Sequence, residues 1–294
     1  MSRPEHVSPP ELFYNEKEAS KYARSTRMMQ IQSQISERAL ELLNLPSGAQ
    51  GLILDIGCGT GMSGSVLEEH GHMWIGCDIS KDMLDIAATS IADDSLDGDV
   101  LQRDMGTGLG FRGGVFDGAI SISAVQWLCY SSHKDHVPKL RLKRFFQELY
   151  SSLRRGARAV LQLYPETPQQ MELITAAAMA VGFTGGVVVD YPNSAKAKKF
   201  YLVLFAGRAS ASEQAQALPS GRSEEEGVFH PGKKDTVDFE SQRRGFRGKK
   251  RSRRENVNIK SKEWVMQKKD RMRKQGKDVA RDSKYSARKR NGKF

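Results

Sequence analysis

Cysteine is scarce in this sequence, and its three occurrences are scattered. Cys58, Cys77 and Cys129 form no Cys-x-x-Cys pair. Disulfide scaffolds and most structural zinc sites are built from paired cysteines, so the lack of pairs argues against both. The sequence therefore predicts no metal site of its own, and it favours a reducing compartment.

Long apolar runs are missing as well. No stretch approaches the roughly 20 residues that cross a bilayer, and residues 1–10 lack the basic-then-apolar pattern of a secretory signal. Hydrophobic residues make up 38% of the chain, which is somewhat low for a wholly globular protein. We expect no membrane partner, and we expect part of the chain to lie outside any core.

Positive charge is abundant, but only at one end of the chain. The net charge of +11 comes from residues 243–294, where 22 Lys and Arg stand against 5 Asp and Glu. Residues 1–207 and 208–242 each carry a net charge of −3. The composition predicts a flexible linker at 208–242 and a basic tail at 243–294. Two clusters in that tail, 249–254 and 288–290, resemble nuclear import signals and could equally contact RNA.

Apolar periodicity predicts an α/β fold. Helices are predicted at 16–44, 63–70, 81–89, 140–153 and 171–181, and strands at 51–56, 73–77, 99–103, 115–121, 158–163, 185–189 and 199–205. Alternating strands and helices indicate parallel βαβ units, whereas only a loop joins the last two strands, which favours an antiparallel pair. We predict a seven-stranded sheet with the last strand antiparallel over residues 49–207, preceded by a helical lid segment at 1–48.

Glycines cluster where the first predicted strand ends, in the run Leu54-Asp-Ile-Gly-Cys-Gly-Thr-Gly61. Glycines permit an abrupt turn from strand to helix and let the backbone approach a ligand. A dinucleotide site would have Gly-x-Gly-x-x-Gly, but here the third glycine comes one residue early. The run resembles the first motif of class I S-adenosylmethionine-dependent methyltransferases. That resemblance implies that the cofactor is bound by Asp55, Gly57, Cys58, Gly59 and Gly61.

Acidic residues end the next two predicted strands. Asp78 lies 21 residues after Gly57, where a carboxylate can accept hydrogen bonds from both ribose hydroxyls. Asp104 and Met105 follow the third strand, where members of this family commonly contact the adenine. A solvated carboxylate could explain Asp104 alone, but it explains poorly three acids at consecutive strand ends. We predict cofactor contacts from Asp78, Ile79, Asp104 and Met105.

The fourth predicted strand leads into Ser121-Ile-Ser-Ala-Val-Gln-Trp-Leu128, without Asn-Pro-Pro-Tyr, a Lys-Asp-Lys-Glu set or a Pro-Cys nucleophile. An acceptor such as guanine N7 carries a free lone pair, so catalysis can depend on placement without a general base. We predict Ser121 as a cofactor-binding and positioning residue. Trp127 either stacks a flipped base in a positioning role or fills the core, and both interpretations stay open.

Two further segments, 162–166 and 190–199, are expected at the same edge of the sheet. The second contains three lysines, which suit phosphate contacts, although a solvated lysine loop is the alternative. Besides Trp127, the predicted substrate-binding residues are Tyr164, Asp190, Asn193, Lys196, Lys198 and Lys199.

Together these segments resemble the eukaryotic 18S rRNA (guanine-N7) methyltransferases, the Williams-Beuren syndrome region methyltransferase type. The most specific segments are Ser121-Ile-Ser-Ala-Val-Gln-Trp-Leu-Cys129 and Asp190-Tyr-Pro-Asn-Ser-Ala-Lys-Ala-Lys-Lys199. The resemblance implies S-adenosylmethionine as cofactor and 18S rRNA of the maturing small subunit as substrate. It also implies a nuclear and nucleolar location, with which a cytoplasmic pool is compatible. As partner it implies a small zinc-binding activator subunit.

The family's fold places the third strand at a sheet edge, which invites strand addition by another chain. We predict that the activator pairs there, at Val100 and Leu101.

Tyr14, Tyr22 and Arg24 of the lid segment are candidates to contact the polar end of the cofactor.

Two alternative functions stay open. One is a tRNA or small-molecule methyltransferase, and the other is an assembly factor whose main role is not catalytic.

Overall fold

The computed structural model describes residues 3–46, 48–94, 98–194, 197–207 and 218–223, together with Met266, Lys269, Arg273 and Arg281. By its internal contacts the chain divides into two units, Met1–Glu226 and Gly227–Phe294. In the second unit, Met266, Lys269 and Arg273 are helical. Both basic clusters of the tail lie outside the described residues, so their roles stay predictions.

A seven-stranded sheet forms the centre of the first unit. Its strands, in spatial order, are β3 (Gly98–Gln102), β2 (Met73–Asp78), β1 (Leu52–Ile56), β4 (Phe116–Ile122), β5 (Leu153–Leu163), β7 (Lys199–Phe205) and β6 (Thr184–Asp190). All neighbours pair in parallel except β7, which is antiparallel to both β5 and β6. This confirms the predicted fold, including the reversed last strand.

Helices connect the strands and precede the sheet. They are α1 (Pro10–Phe13), α2 (Glu16–Arg24), α3 (Thr26–Leu43), α4 (Met62–Glu69), α5 (Lys81–Asp94), α6 (Pro138–Ser152) and α7 (Pro168–Ala180), with short 3₁₀ turns at Pro4–His6, Met105–Thr107 and Val125–Cys129. The prediction of one helix over 16–44 is wrong, because Ser25 has extended backbone angles and its Oγ accepts a hydrogen bond from Met28 N at 3.3 Å. Such an N-cap starts a new helix.

The fifth strand begins earlier than the predicted residue 158, directly after α6. The pairing of β4 with β5 jumps from Phe116–Leu153 to Gly118–Arg158. This irregularity puts extra residues into β5, as a β-bulge does. Because such residues show no regular alternation of apolar side chains, periodicity does not reveal them.

Both faces of the sheet are covered, as nearly continuous apolar strands require. Phe145, Phe146 and Leu149 of α6 are fully buried in one cluster. Leu42 of α3 and Trp74 of β2 are buried in a second cluster. The two layers leave the carboxyl ends of the parallel strands open between them, which is where doubly wound sheets bind ligands.

Residues 218–223, here called the anchored segment, fall inside the predicted linker but contact the sheet. The Arg222 backbone N donates to Asp190 Oδ1 at 2.9 Å, and Arg222 O accepts from Tyr191 N at 2.8 Å. At least this part of 208–242 therefore belongs to the folded unit.

Within the part of the chain that the structure describes, no helix is long and apolar enough to cross a membrane.

Candidate active site

A cavity of about 370 Å³ lies at the carboxyl ends of β1, β2 and β4. The turn after β1 forms its floor, residues after β2, β3 and β4 form its walls, and the N-terminal helices also line it. This volume is within the usual range of small-molecule sites. The cavity is therefore the candidate cofactor site.

The glycine turn after β1 presents backbone to this cavity through Gly57, Cys58 and Gly59. Gly57 has a φ of +72°, and a Cβ added to it would lie 2.2 Å from the Cβ of Ala124. Only glycine fits there, since both the angle and the space exclude a side chain. Burial raises the pKa of the Cys58 thiol well above its usual value, so this cysteine is neutral and serves as a wall.

Two other residues of the motif lie behind the turn and do not line the cavity. Asp55 is fully buried and accepts a hydrogen bond from Ser63 Oγ at 2.5 Å. Gly61 starts α4 with a φ of +80°, next to Ala87. The predicted direct contacts of Asp55 and Gly61 with a cofactor are therefore corrected, since both residues shape the turn from the inside.

Asp78 and Ile79, the predicted cofactor contacts at the end of β2, line the cavity. The Asp78 carboxylate accepts hydrogen bonds from Gly59 N and Ser80 N, each at 2.9 Å. Burial raises the pKa of Asp78, although these backbone donors oppose the shift. The carboxylate is thus held rigidly at the cavity wall, and a ligand with hydroxyl donors would stabilise its ionised form.

Asp104 and Met105, after β3, also line the cavity. The Asp104 carboxylate accepts from Gly106 N at 2.8 Å and from Arg141 Nη2 at 2.6 Å. Arg141 also contacts His136 Nδ1 at 3.1 Å, and burial, followed by the nearby Arg141, lowers the pKa of His136. Arg141 and His136 line the cavity too.

The predicted role of Ser121 is corrected by its position. Ser121 is fully buried inside β4, and its Oγ donates to Ile56 O at 2.7 Å, so it does not line the cavity. Ser123 lies there instead, with a φ of +58° and its Oγ bonded to Gln162 Oε1 at 2.6 Å. Left-handed non-glycine residues are costly and concentrate at functional sites, so Ser123 replaces Ser121 as the candidate.

Trp127 lines the cavity and is also packed in a cluster of aromatic rings. Only 7% of it is exposed, and its ring centroid lies 6.3 Å from that of Phe13 and 6.1 Å from that of Tyr14. The packing interpretation therefore describes the observed state. Stacking of a substrate base on Trp127 stays a prediction, since the lid would have to expose the ring.

The N-terminal segment covers the cavity. Tyr14 and Tyr22 line it, whereas Arg24 does not. Burial raises the pKa of Tyr14 to about 12 and also raises that of Tyr22, so both phenols are neutral. Ser80 Oγ donates to Tyr14 O at 2.7 Å, which ties the lid to the wall that carries Asp78.

The lid is also bonded to the far side of the cavity. Arg3 Nη1 donates to Tyr164 O at 2.8 Å, and His6 Nε2 lies 3.0 Å from Glu166 Oε2. His133 Nε2 lies 3.0 Å from Glu11 Oε1. These contacts hold a segment that is distant in sequence over the cofactor site.

The predicted substrate residues are only partly brought together. Tyr164 lines the cavity, and Lys199 Nζ lies 5.6 Å from the centre of its ring. Burial lowers the pKa of Lys199. Asn193 is exposed and Lys198 half-buried in the loop before β7, outside the cavity, and Lys196 lies outside the described residues.

Asp190 is corrected, because its carboxylate is occupied within the fold. The residue is 2% exposed. Its oxygens accept from Arg38 Nε at 2.9 Å, from Arg38 Nη2 at 3.2 Å and from the Arg222 backbone. It holds α3 and the anchored segment together and is not available to a substrate.

Other lining residues carry weaker sequence signals. Met28, Ile31 and Gln32 face the cavity from α3, and their spacing of three and four residues is that of one helix face. That spacing could have identified them. Arg141 and His136 lie on or before α6, and no local pattern distinguishes them from solvated charges.

S-adenosylmethionine fits these residues. The cofactor is a cation with ribose hydroxyls, and the cavity offers the Asp78 and Asp104 carboxylates, a glycine turn that a Cβ would fill, and the rings of Tyr14 and Tyr22. No group of three or more His, Cys, Asp or Glu side chains among the described residues could hold a metal ion.

Known proteins resemble the chain over its whole length. A family model described as "Methyltransferase domain" matches residues 53–156, and one described as "Methyltransferase involved in Williams-Beuren syndrome" matches residues 204–292. A solved Haemonchus contortus phosphoethanolamine N-methyltransferase 2 in complex with S-adenosyl-L-methionine superposes with a TM-score of 0.50 at 13% identity, over 71% of this chain and 61% of that one. This likeness supports the fold alone.

The curated relatives are much more similar. The 18S rRNA (guanine-N(7))-methyltransferase of Mus musculus is 53% identical over 292 residues, which cover 99% of this chain and 98% of the relative. The probable 18S rRNA (guanine-N(7))-methyltransferase of Dictyostelium discoideum is 48% identical over 295 residues, with full coverage of both chains. The chain therefore belongs to the family of 18S rRNA (guanine-N7)-methyltransferases, which have the S-adenosylmethionine-dependent methyltransferase fold.

Proposed function

We propose that this protein transfers a methyl group from S-adenosylmethionine to N7 of a guanine in 18S rRNA during maturation of the small ribosomal subunit. The observation that carries the proposal is the full-length similarity to relatives named for this reaction. The cavity supports it independently, since its glycine turn and its acidic walls suit the cofactor.

Methyl transfer to guanine N7 requires mainly that the protein positions the cofactor and the base. The bound cofactor supplies an electrophilic methyl group, which the lone pair of guanine N7 can accept without prior loss of a proton. Asp78 and Asp104 hold the polar parts of the cofactor. Tyr14 and Tyr22 exclude water as neutral, buried rings. Placement of this kind can supply several kcal/mol, roughly 7–11 in well-oriented reactions.

The substrate is expected at the edge that carries Tyr164 and the loop before β7. Lys198 and Lys199 would contact phosphates there, and Tyr164, which lines the cavity, lies next to Lys199. Phosphate contacts orient a nucleic acid without reading its sequence. Lys196 and Asn193 belong to the same proposal through their position in the loop.

The activator subunit is proposed at the edge formed by β3. Arg103 N bonds to Asp78 O at 2.7 Å, so alternation along the strand points the Val100 N–H away from β2. Val100 N instead bonds to Asp99 Oδ1 at 2.8 Å. Val100 and Leu101 are half-buried. A partner strand could displace the Asp99 side chain and pair there.

A nuclear and nucleolar location follows from the proposed substrate, since small-subunit RNA begins its maturation there, and a cytoplasmic pool is compatible with it. The basic clusters at 249–254 and 288–290 would provide import or RNA affinity. A fluorescent fusion that lacks residues 243–294 should lose nuclear accumulation. Unchanged accumulation would contradict the assignment of the import signal.

The decisive experiment combines protein, activator and precursor small subunits with labelled S-adenosylmethionine, followed by N7-sensitive cleavage of the RNA. Label at one guanine of 18S rRNA is expected. Label in tRNA or in small molecules would instead support the alternative methyltransferases. Asp78→Lys should abolish methylation, and normal ribosome maturation in cells with this variant would show that the essential role is that of an assembly factor.

A further inference from the structure

The anchored segment, residues 218–223, runs along the free side of β6 in the direction of that strand. Arg222 contacts Asp190, 32 residues earlier. Gly221 lies against Val189 and Leu218 lies over Gly186, which keeps the same offset. A Cβ on Gly221 would come 2.1 Å from Val189 O, so the two backbones approach as closely as glycine allows.

Charged side chains hold this segment in place. We call Arg38, Glu41, Asp190 and Arg222 the Asp190 network. Arg38 binds Asp190 with two nitrogens, Glu41 Oε2 at 3.1 Å and Ser220 O at 3.1 Å. Arg222 Nη2 binds Glu41 Oε2 at 2.8 Å. The network therefore joins α3, the end of β6 and the anchored segment.

The segment also fixes the turn that follows β6. Tyr191 has a φ of +52°, which is unfavourable for a residue with a side chain. Its N–H donates to Arg222 O, and its O accepts from Ser194 N at 3.1 Å. The anchored segment thus supplies the tertiary bond that holds this left-handed residue, from which the loop to Lys198 and Lys199 starts.

Edge protection alone would explain a segment laid along β6. It would not explain why the bonds concentrate at Asp190 and Tyr191, at the carboxyl end of the strand, while Leu218 at the other end remains 46% exposed. Among the described residues, the hydrogen bonds and ion pairs therefore concentrate where the strand meets the lysine-bearing loop.

We propose that the anchored segment is a positioning element for RNA. By bonding Tyr191 and Asp190 it sets the course of the loop before β7, and thereby the placement of Lys198 and Lys199 on the substrate. The Asp190 network residues are positioning residues that act through this loop. The inference rests on the proposed function in taking RNA as the substrate of that edge.

Gly221→Ala in the full-length protein with its activator tests the proposal, because the added Cβ meets backbone and must displace the segment. Gly113→Ala is the matched control, since its Cβ would lie 3.5 Å from the nearest atom, an ordinary contact. In G221A, amide hydrogen exchange at Tyr191 should become faster. The KM for precursor small subunits should rise about fivefold, which corresponds to the loss of one hydrogen bond. The kcat and the KM for S-adenosylmethionine should stay unchanged, and G113A should match the wild type.

Arg222→Gln provides a second variant that removes the bond to Glu41 without adding bulk, and Arg222→Lys should restore part of the loss. A quickened Tyr191 exchange with an unchanged KM for the precursor would overturn the proposal, as would an unchanged exchange in both G221A and R222Q. Absence of N7 methylation by the wild-type protein would instead overturn the proposed function, so the two failures are distinguishable.

Discussion

The two edges of the sheet are finished in different ways. At one end, β6 is covered by the chain's own anchored segment, residues 218–223, which a buried ion pair between Arg38 and Asp190 holds in place. At the other end, no described residue pairs with the outer side of β3, and Val100 N bonds only to the neighbouring Asp99 side chain. Exposed edges are usually covered or paired. The β6 edge is completed within the chain, and the β3 edge is the one at which we propose a partner.

The largest expected effect concerns the closed edge. Asp190→Asn should lower the free energy of unfolding by about 3–5 kcal/mol, because it leaves the buried Arg38 charge with only the exposed carboxylate of Glu41 as counter-ion. Denaturant titration measures this. Lys81→Gln removes the exposed pair between Lys81 and Asp85, which water screens, and should leave the free energy of unfolding nearly unchanged. Equal effects of the two variants would show that the β6 edge is not held by its ion pair.

Asp55 lies in β1, in the middle of the sheet, and it should give a pH-dependent effect on stability with which variants at both edges can be compared. Burial raises the pKa of Asp55 from 3.8 to about 7 against the hydrogen bond from Ser63, so the folded state binds the proton more tightly than the unfolded chain does. The contribution of Asp55 to the free energy of unfolding is therefore greatest below about pH 4. It falls as the pH rises towards 7, with a slope of up to about 1.4 kcal/mol per pH unit. Urea titrations from pH 4 to 8 measure that slope.

Asp55→Asn should remove this part of the pH dependence, whereas variants at either edge should keep it. A slope that persists in Asp55→Asn would assign the titration to another group. A slope that disappears in a variant of β3 or β6 would mean that the edges and the centre are not independent.

A third prediction distinguishes RNA binding near β6 and β7 from activator binding at the β3 edge. Lys198→Gln with Lys199→Gln should reduce the slope of log affinity for RNA against log salt by about 1.4, if each lysine neutralises one phosphate of a single strand. Binding of the activator should not change. Lys139→Gln with Lys143→Gln, on exposed positions of α6, removes the same charge and serves as the control. Equal slopes for both double variants would show that the lysines act through net charge alone.

Sequence patterns predicted the parts of this fold whose signals are local. The glycine turn, the succession of strands along the chain and the reversal of β7 follow from residues that are neighbours in the chain. The sequence pattern does not reveal the break at Ser25, because a serine cap inside a continuous apolar pattern resembles a helical serine. The sequence points to Ser121 and not to Ser123, because β4 extends one residue further than the pattern predicts and the left-handed turn comes only after Ile122.

The contacts that hold the anchored segment have no local signal in the sequence. Arg38 and Asp190 are 152 residues apart, and each resembles an ordinary polar residue within its own segment. The anchored segment lacks apolar periodicity, so its composition predicts a linker. Its fold is determined by backbone bonds and by a charge network that only the tertiary structure assembles.

Of the two edges, β3 is the one at which we expect the smaller effect on stability, and a proline there tests directly whether a partner completes this edge. Val100→Pro removes an N–H that points away from β2, a position at which an edge strand tolerates proline, so the free energy of unfolding should change by only about 1 kcal/mol. The same change should prevent a partner strand from pairing there, and the activator should be lost from co-purification. Val100→Thr keeps the N–H and the branched shape and should retain the activator. If the proline variant retained it as well, the β3 edge would not be the docking site, and the sheet would have to be completed by something other than the activator.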